Sequence, residues 1–237
     1  MRVGYKTCVG KKRKVNQDGL LVDQELGLFI VADGMGGHNA GEVASSIAVK
    51  VVSETVRDGL KLDTDISTLL EESVQRAHRS IFDDSMKHHD RRDMGTTVTV
   101  ALVQGDYVRI CHVGDSRAYL VANGRIEALT KDHTFVGDWV AEGRITPEEA
   151  RTHPARHGLT MALGVDDDVE PEVGKVAWHN GQCLLLCSDG LTEILEDSTI
   201  LEIIESSGDP DVACKELVAQ TRNRGGDDDI TVILVCR

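Results

Sequence analysis

Val31-Ala32-Asp33-Gly34-Met35-Gly36-Gly37-His38 is an apolar run that ends in a carboxylate and then gives up its side chains. A strand feeding Asp33 into a glycine-rich turn holds one acid at a sheet edge and leaves backbone carbonyls bare. Acids recur in the same setting. Asp115 follows Val108 to Val113, Asp189 follows Leu184-Leu185-Leu186-Cys187, and Asp228 stands just before Ile230 to Val235. One glycine-flanked acid after a strand is an ordinary turn; three such acidic clusters in one chain are not. Acids gathered at strand ends repel one another strongly unless a cation lies between them. Oxygen ligands without an accompanying Cys/His set favour a hard ion, Mg²⁺ or Mn²⁺ rather than Zn²⁺.

Around these acids, strand-like and helix-like segments are segregated. Leu28 to Ala32, Thr96 to Val103, Tyr107 to Val113, Arg117 to Val121, Val173 to Ala177, Cys183 to Cys187 and Ile230 to Cys236 carry β-rich apolar patterns. Gln104-Gly105-Asp106 and Ala122-Asn123-Gly124 are hairpin-type turns, which predicts antiparallel neighbours. Between residues 40 and 90, Val43, Ala44, Ile47, Ala48, Val51 and Val52 recur at helical spacing. Ile66, Leu69, Leu70, Val74, Ala77 and Ile81 do the same. A later helix is announced by Asp209-Pro210 and runs to Arg224-Gly225-Gly226. The pattern predicts an α+β layered domain of antiparallel sheets flanked by paired helices. The stretch from Thr130 to Leu163 is polar and broken, with a helix-cap signal at Thr146-Pro147-Glu148-Glu149. It reads as a flap that leaves the core and lies over a site.

Composition bounds the function. At 237 residues the chain suits one large domain or two small ones, and it can bury a core without disulfides or a structural metal. A formal net charge of −14 argues against nucleic acid as a partner. The basic run Lys11-Lys12-Arg13-Lys14 is either a solvated loop or a local anion-reading patch suited to a small phosphate group. The six cysteines show no zinc-type pairs and no dense secreted framework, so they read as buried small hydrophobes. No signal core and no stretch near the ~18 apolar residues of a membrane span is present, which makes a cytoplasmic, non-membrane protein the default expectation.

The ordered set of motifs is more specific than any one of them. Gly10-Lys11-Lys12-Arg13-Lys14-Val15-Asn16-Gln17-Asp18, Ala32 to His38 with Gly41-Glu42, Met94-Gly95-Thr96-Thr97, Gly114-Asp115-Ser116-Arg117, Ser188-Asp189-Gly190-Leu191-Thr192 and Gly226-Asp227-Asp228-Asp229-Ile230-Thr231 follow one another in sequence. In this order the chain resembles the metal-dependent type 2C protein serine/threonine phosphatases, particularly compact bacterial single-domain members, over residues 2 to 236. The resemblance implies a four-layer αββα sandwich and a single catalytic domain spanning 1–237, with the flap at about 130–163. It implies two Mn²⁺ or Mg²⁺ ions, with Asp33 bridging them, Gly34 offering its carbonyl to one, Asp189 and Asp228 holding the other, and Asp18 in the same centre. Asp115 and Asp189 match the pair that holds a third, weaker metal. Arg13 matches the arginine that grips substrate phosphate, and His38 matches the proposed general acid. Hydroxide generated between the ions would attack phosphorus directly. Phosphorylated proteins, with a partner Ser/Thr kinase, are the implied partners, and a monomer is the default. A turnover-free regulatory module and a phosphodiesterase or nuclease are the competing classes; the intact acids oppose the first, and the net charge opposes the second.

Several positions depart from the family pattern. Gln17 replaces an acid often found before the Asp18 position, Asp229 stands where Asn is common, and Asp227 competes with Asp228 as the final ligand. Met161 sits in the flap where the pattern often has Arg. His88-His89-Asp90, His153 and His157 read as solvated surface, the run Asp166-Asp167-Asp168 as a turn with weak cation binding as the alternative, and Asp211 as first-turn helix charge.

Overall fold

The structure, a computed structural model, describes residues 1–36, 40–62 and 64–237. Two antiparallel sheets lie face to face. One has the strand order β1 (Arg2–Cys8), β11 (Ile230–Cys236), β10 (Cys183–Cys187), β7 (Arg117–Ala122), β8 (Arg125–Ala128). The other runs β2 (Asp18–Asp23), β3 (Leu28–Met35), β5 (Val98–Gln104), β6 (Tyr107–Val113), β9 (Glu172–Ala177), with the short β4 (Gly95–Thr96) pairing the end of β3. Helices α1 (Gly41–Gly59) and α2 (Ile66–Lys87) cover the second sheet. Helices α6 (Asp197–Ser207) and α7 (Pro210–Asn223) cover the first.

Period-two burial explains the layering. On β3, Leu28, Ile30 and Ala32 face α1 and α2, while Phe29 and Val31 face the other sheet. On β10, Leu184 and Leu186 enter the inter-sheet core, and Leu185 and Cys187 face α6 and α7. Three apolar layers therefore separate four structural ones, the expected αββα order. The hairpins form as expected: Asn123 and Gly124 both take positive φ, 53° and 70°, between β7 and β8, the combination a type I′ turn requires. At the cap signal, Thr146 and Glu149 form a reciprocal capping box that opens α4 (Pro147–Thr152).

Among the described residues the structure adds elements to those expected, β1, β2, β8 and α6 among them. β1 and β2 are edge strands with few fully buried residues, so neither carries a continuous apolar run. β8 is a four-residue edge strand. α6 had a legible signal in Ile200, Ile203 and Ile204 with Gly208 left-handed beyond its end (φ 64°). Two expectations need correction. β3 continues through Asp33 and Gly34 to Met35, so these residues lie in paired strand rather than in the turn. Cys183 and Cys236 are not two independent buried thiols: they stand opposite each other in the β10–β11 register and form a disulfide. Directly opposed antiparallel residues bring their Cβ atoms close enough to bridge, although 53 residues separate the two cysteines along the chain. Cys111, Cys187 and Cys214 are buried free thiols, as expected of small hydrophobes, and burial pushes each up to about 12.

Candidate metal centre

The acids meet at the seam between the two sheets. Asp18 opens β2 and lies directly across from Asp33 on β3. The end of β3 is fixed by hydroxyl and backbone groups of the neighbouring strand. Asp33 N–H donates to Thr97 Oγ1 at 2.9 Å, and Asp33 C=O accepts from Thr97 N–H at 2.9 Å and Thr96 Oγ1 at 2.8 Å. Gly34 N–H donates to the Gln17 carbonyl at 3.1 Å. A Cβ on Gly34 would stand 2.1 Å from the Gly41 carbonyl oxygen and 2.5 Å from that of Gln17, so only glycine lets α1 begin this close to the strand.

The other sheet contributes from above. Ser188, immediately after β10, donates through Oγ to Asp18 Oδ2 at 2.9 Å and accepts from Thr231 N–H at 3.0 Å. One serine thus ties β2, β10 and β11 together at the acids. Asp189 opens the short helix α5 (Asp189–Thr192), and its carboxyl stands close enough to that of Asp33 for each to bear on the other's protonation. Two carboxyls in that contact are favourable only with a proton or a cation between them.

Electrostatics follow from this geometry. Asp18 is pushed up to about 7, burial being the largest cause, with the charges of Asp229 and Asp189 adding to it. Asp33 is held well above the usual carboxylate range by burial, then by Asp18, Asp189 and Asp115. Asp115 is raised by burial and by Asp189, and Asp189 by burial and by Asp228. Asp18 Oδ1 and Asp189 Oδ1 are shielded from solvent and have no hydrogen-bond partner. Crowded carboxylates with unpartnered buried oxygens fit a hard divalent cation, because such an ion supplies both the missing charge and the missing contacts. The residues present fit the group the sequence implies.

Arg13 is placed otherwise than a free phosphate clamp. Its Nε donates to Asp228 Oδ1 at 2.9 Å and its Nη2 to Oδ2 at 3.1 Å, and its Nη1 donates to Gln17 Oε1. The guanidinium here neutralises Asp228 itself. Gln17 therefore serves this arginine, a role its sequence position did not disclose. Asp229 is also explained: fully buried, it accepts Gly10 N–H through Oδ1 and Gln17 N–H through Oδ2, both at 2.7 Å. It anchors both ends of the basic loop to the start of β11. Asp227 pairs with Lys12 at the surface. His38 lies outside the described residues.

Asp115 and Asp189 also line a cavity of about 400 Å³ between the flap and α5, bordered by Val136, Val140, Arg151 and Glu193. The flap is fastened at both ends. Asp132 receives Arg117 through two hydrogen bonds of 2.7 and 2.6 Å, His133 exchanges bonds with Gly114 beside Asp115, and Leu163 bridges to Thr96. Met161 packs against the core under α1 and α2. His153 packs edge-on against Trp139 within the flap, and His88 and Asp211 are exposed and paired to groups of their own helices. His157 is the exception among the surface histidines: its Nδ1 reaches Glu193 Oε1 at 2.6 Å beside Asp189. Glu193, four residues beyond Asp189 on the turn of α5, carried no motif of its own. Burial and the charge of Asp189 push it up to about 7.

Comparison with known proteins agrees with this architecture. The sequence profile of the family described as Protein phosphatase 2C matches residues 10–222. The serine/threonine phosphatase stp of Listeria monocytogenes is 36% identical over 242 residues, covering 100% of this chain and 96% of the relative. The crystal structure of the Mycobacterium tuberculosis serine/threonine phosphatase PstP/Ppp superposes with a TM-score of 0.91 at 36% identity, covering 98% of this chain and 97% of that one. The catalytic domain of PstP in complex with two manganese ions gives a TM-score of 0.87 at 35% identity, covering 98% and 96%.

Proposed function

This chain belongs to the protein phosphatase 2C family, and on that premise we propose that it removes phosphate from phosphoserine and phosphothreonine of proteins, using two Mn²⁺ or Mg²⁺ ions. The observation that carries the reading is the convergence of Asp18, Asp33 and Asp189 from both sheets, with two shielded carboxylate oxygens that no protein group satisfies. We assign residues 1–237 to one catalytic domain, with the flap inside it.

Asp33 would be shared between the two ions, with the Gly34 carbonyl, Asp18, Asp189 and Asp228 as the further protein ligands; Asp115 and Asp189 would hold a third ion. When bound, a pair of divalent ions supplies an activated water and Lewis acidity toward phosphoryl oxygens. The remaining work belongs to the chain. Arg13 exchanges Asp228 for the substrate phosphate, a planar fork that matches either partner bidentately. Gln17 keeps that guanidinium at the mouth of the site, and Asp229 fixes the loop that carries both. His38 is assigned to protonate the departing seryl or threonyl oxygen. Asp18 is held in place by Ser188, itself bonded to Thr231 N–H.

Phosphoproteins are the proposed partners, among them a Ser/Thr kinase whose products the enzyme reverses; a cytoplasmic monomer completes the reading. Among the described residues no helix is long and apolar enough to cross a membrane. The deciding assay follows phosphate release from phosphoserine, phosphothreonine and phosphotyrosine peptides and from bis-p-nitrophenyl phosphate, with Mn²⁺ and with chelator. Metal-dependent turnover confined to the first two peptides is expected. Preference for the diester, or turnover unaffected by chelator, overturns the reading.

A further inference from the structure

We propose that two buried histidines, His78 and His133, are positioning residues that pin the two roots of the flap through the same unprotonated ring atom, Nδ1. At the entry root, Gly114 N–H donates to His133 Nδ1 at 3.1 Å, and His133 N–H returns a bond to the Gly114 carbonyl at 2.8 Å. At the exit root, Gly164 N–H donates to His78 Nδ1, also at 3.1 Å, across 86 residues of chain. His78 is carried by α2, whereas His133 stands in the flap just before α3 (Phe135–Ala141), so the two pins are built independently. Both rings are nearly closed to solvent, His78 at 3% and His133 at 6% exposure. Both glycines have positive φ, 85° at Gly164 and 105° at Gly114. A Cβ would stand 2.2 Å from Ile81 Cγ2 at the first and 2.5 Å from Thr97 Cγ2 at the second. The backbone at each root is therefore open to glycine alone, and an imidazole takes up the N–H that it presents.

A ring nitrogen that accepts carries no proton, which places the single proton of each neutral ring on Nε2. Both Nε2 atoms face an oxygen. That of His133 is 3.3 Å from Glu172 Oε1, and that of His78 is 3.4 Å from the Asp167 carbonyl. The pinned backbone adjoins the assigned acids. Gly114 precedes Asp115. Leu163, just before Gly164, exchanges backbone bonds of 3.1 and 2.9 Å with Thr96, whose Oγ1 donates to the Asp33 carbonyl at 2.8 Å. The flap thus takes its position from the same backbone that sets Asp115 and Asp33. On the phosphatase reading, on which this consequence rests, the two rings set the height of the flap over a bound phosphopeptide. Neither has a part in the chemical step.

Long-range ¹H–¹⁵N correlation of the full metal-free chain at neutral pH reads the ring nitrogens directly. The Nε2–H tautomer is expected for His78 and His133, and a proton on Nδ1 of either ring overturns the proposal without any variant having to fold. Substitutions then separate acceptor from packing. Asn offers an oxygen near the Nδ1 position but leaves space, whereas Leu fills the space and accepts nothing. His78→Leu and His133→Leu should speed amide exchange at Gly164 and Gly114, respectively, by at least about tenfold. They should also raise KM for a phosphothreonine peptide several-fold more than KM for p-nitrophenyl phosphate. His78→Asn and His133→Asn should recover most of both effects. Protection by Leu with fast exchange in the Asn variants overturns the proposal and leaves simple packing. Faster exchange with an unchanged ratio of the two KM values overturns the positioning role. Exchange is read without metal or substrate, so protected glycines in a wild type that shows no turnover keep the two pins and overturn the phosphatase reading alone.

Discussion

The seam and the flap face each other across one cavity, yet they hold their functional groups in opposite ways. At the seam, Asp18 and Asp33 are fixed by strand register and Asp18 by a serine that joins three strands, so backbone pairing sets the positions of the carboxylates. At the mouth and on the flap, Arg13 and His157 reach their partners through single flexible side chains, Arg13 to Asp228, an assigned metal ligand, and His157 to Glu193. Rigid placement suits charges that must stay close despite repulsion. Exchangeable pairs suit groups that must let go of one partner to take another.

The contrast can be broken most severely at the seam. Asp33→Asn should lower Mn²⁺-dependent kcat on p-nitrophenyl phosphate by more than about a thousandfold, because several kcal/mol of charge stabilisation depend on the ions it holds. Circular dichroism should show an intact fold, and a kcat near wild type would remove Asp33 from the centre. Gly34→Ala tests the rigidity instead. Its methyl would meet the Gly41 and Gln17 carbonyls, and thermal denaturation should register a loss of about 3 kcal/mol or more. A Tm within a degree or two of wild type would mean that the approach of α1 to β3 is not fixed.

A pH series separates the seam from its surroundings. Asp18 keeps its proton up to about 7 in the folded, metal-free protein against an ordinary value of 3.8, so its contribution is fully present below that ordinary value and is lost as pH rises through about 7. Divalent metal replaces the proton, and the gain in Tm on adding Mn²⁺ should grow by several degrees from pH 5 to pH 8. Buried His112 runs the other way. Burial lowers it from 6.5 to about 4, so the neutral form stabilises the fold above 6.5 and that stability drains away as pH falls toward 4, with or without metal. A Mn²⁺ increment that shrinks with rising pH would contradict the seam assignment.

The smallest effect is expected at the mouth. Arg13→Ala should raise KM for a phosphopeptide about tenfold while both ions remain, and it should tighten Mn²⁺ binding by freeing Asp228. Unchanged KM with unchanged Mn²⁺ affinity would make the Arg13–Asp228 pair a surface feature without consequence.

Much of this was legible in the chain itself. Apolar runs on β3, β6, β10 and β11, the Asn123-Gly124 turn and the Thr146–Glu149 box are short-range signals, and each became the element it predicts. The acids were legible because they follow apolar strands. The edge strands β1 and β2 were not, since a strand paired on one side needs no continuous apolar run.

The sequence by itself determined which residues carry charge, where most strands and helices fall, and that several acids stand at strand ends. Only the tertiary structure decided that Asp18 faces Asp33, that Cys183 meets Cys236, that Asp229 anchors a loop more than two hundred residues away, and that His157 comes to Asp189 and Glu193. The physical reason is range. Periodicity and capping act over a few residues, whereas register and sheet packing join groups that sequence distance keeps apart, and no local pattern records which of them will meet.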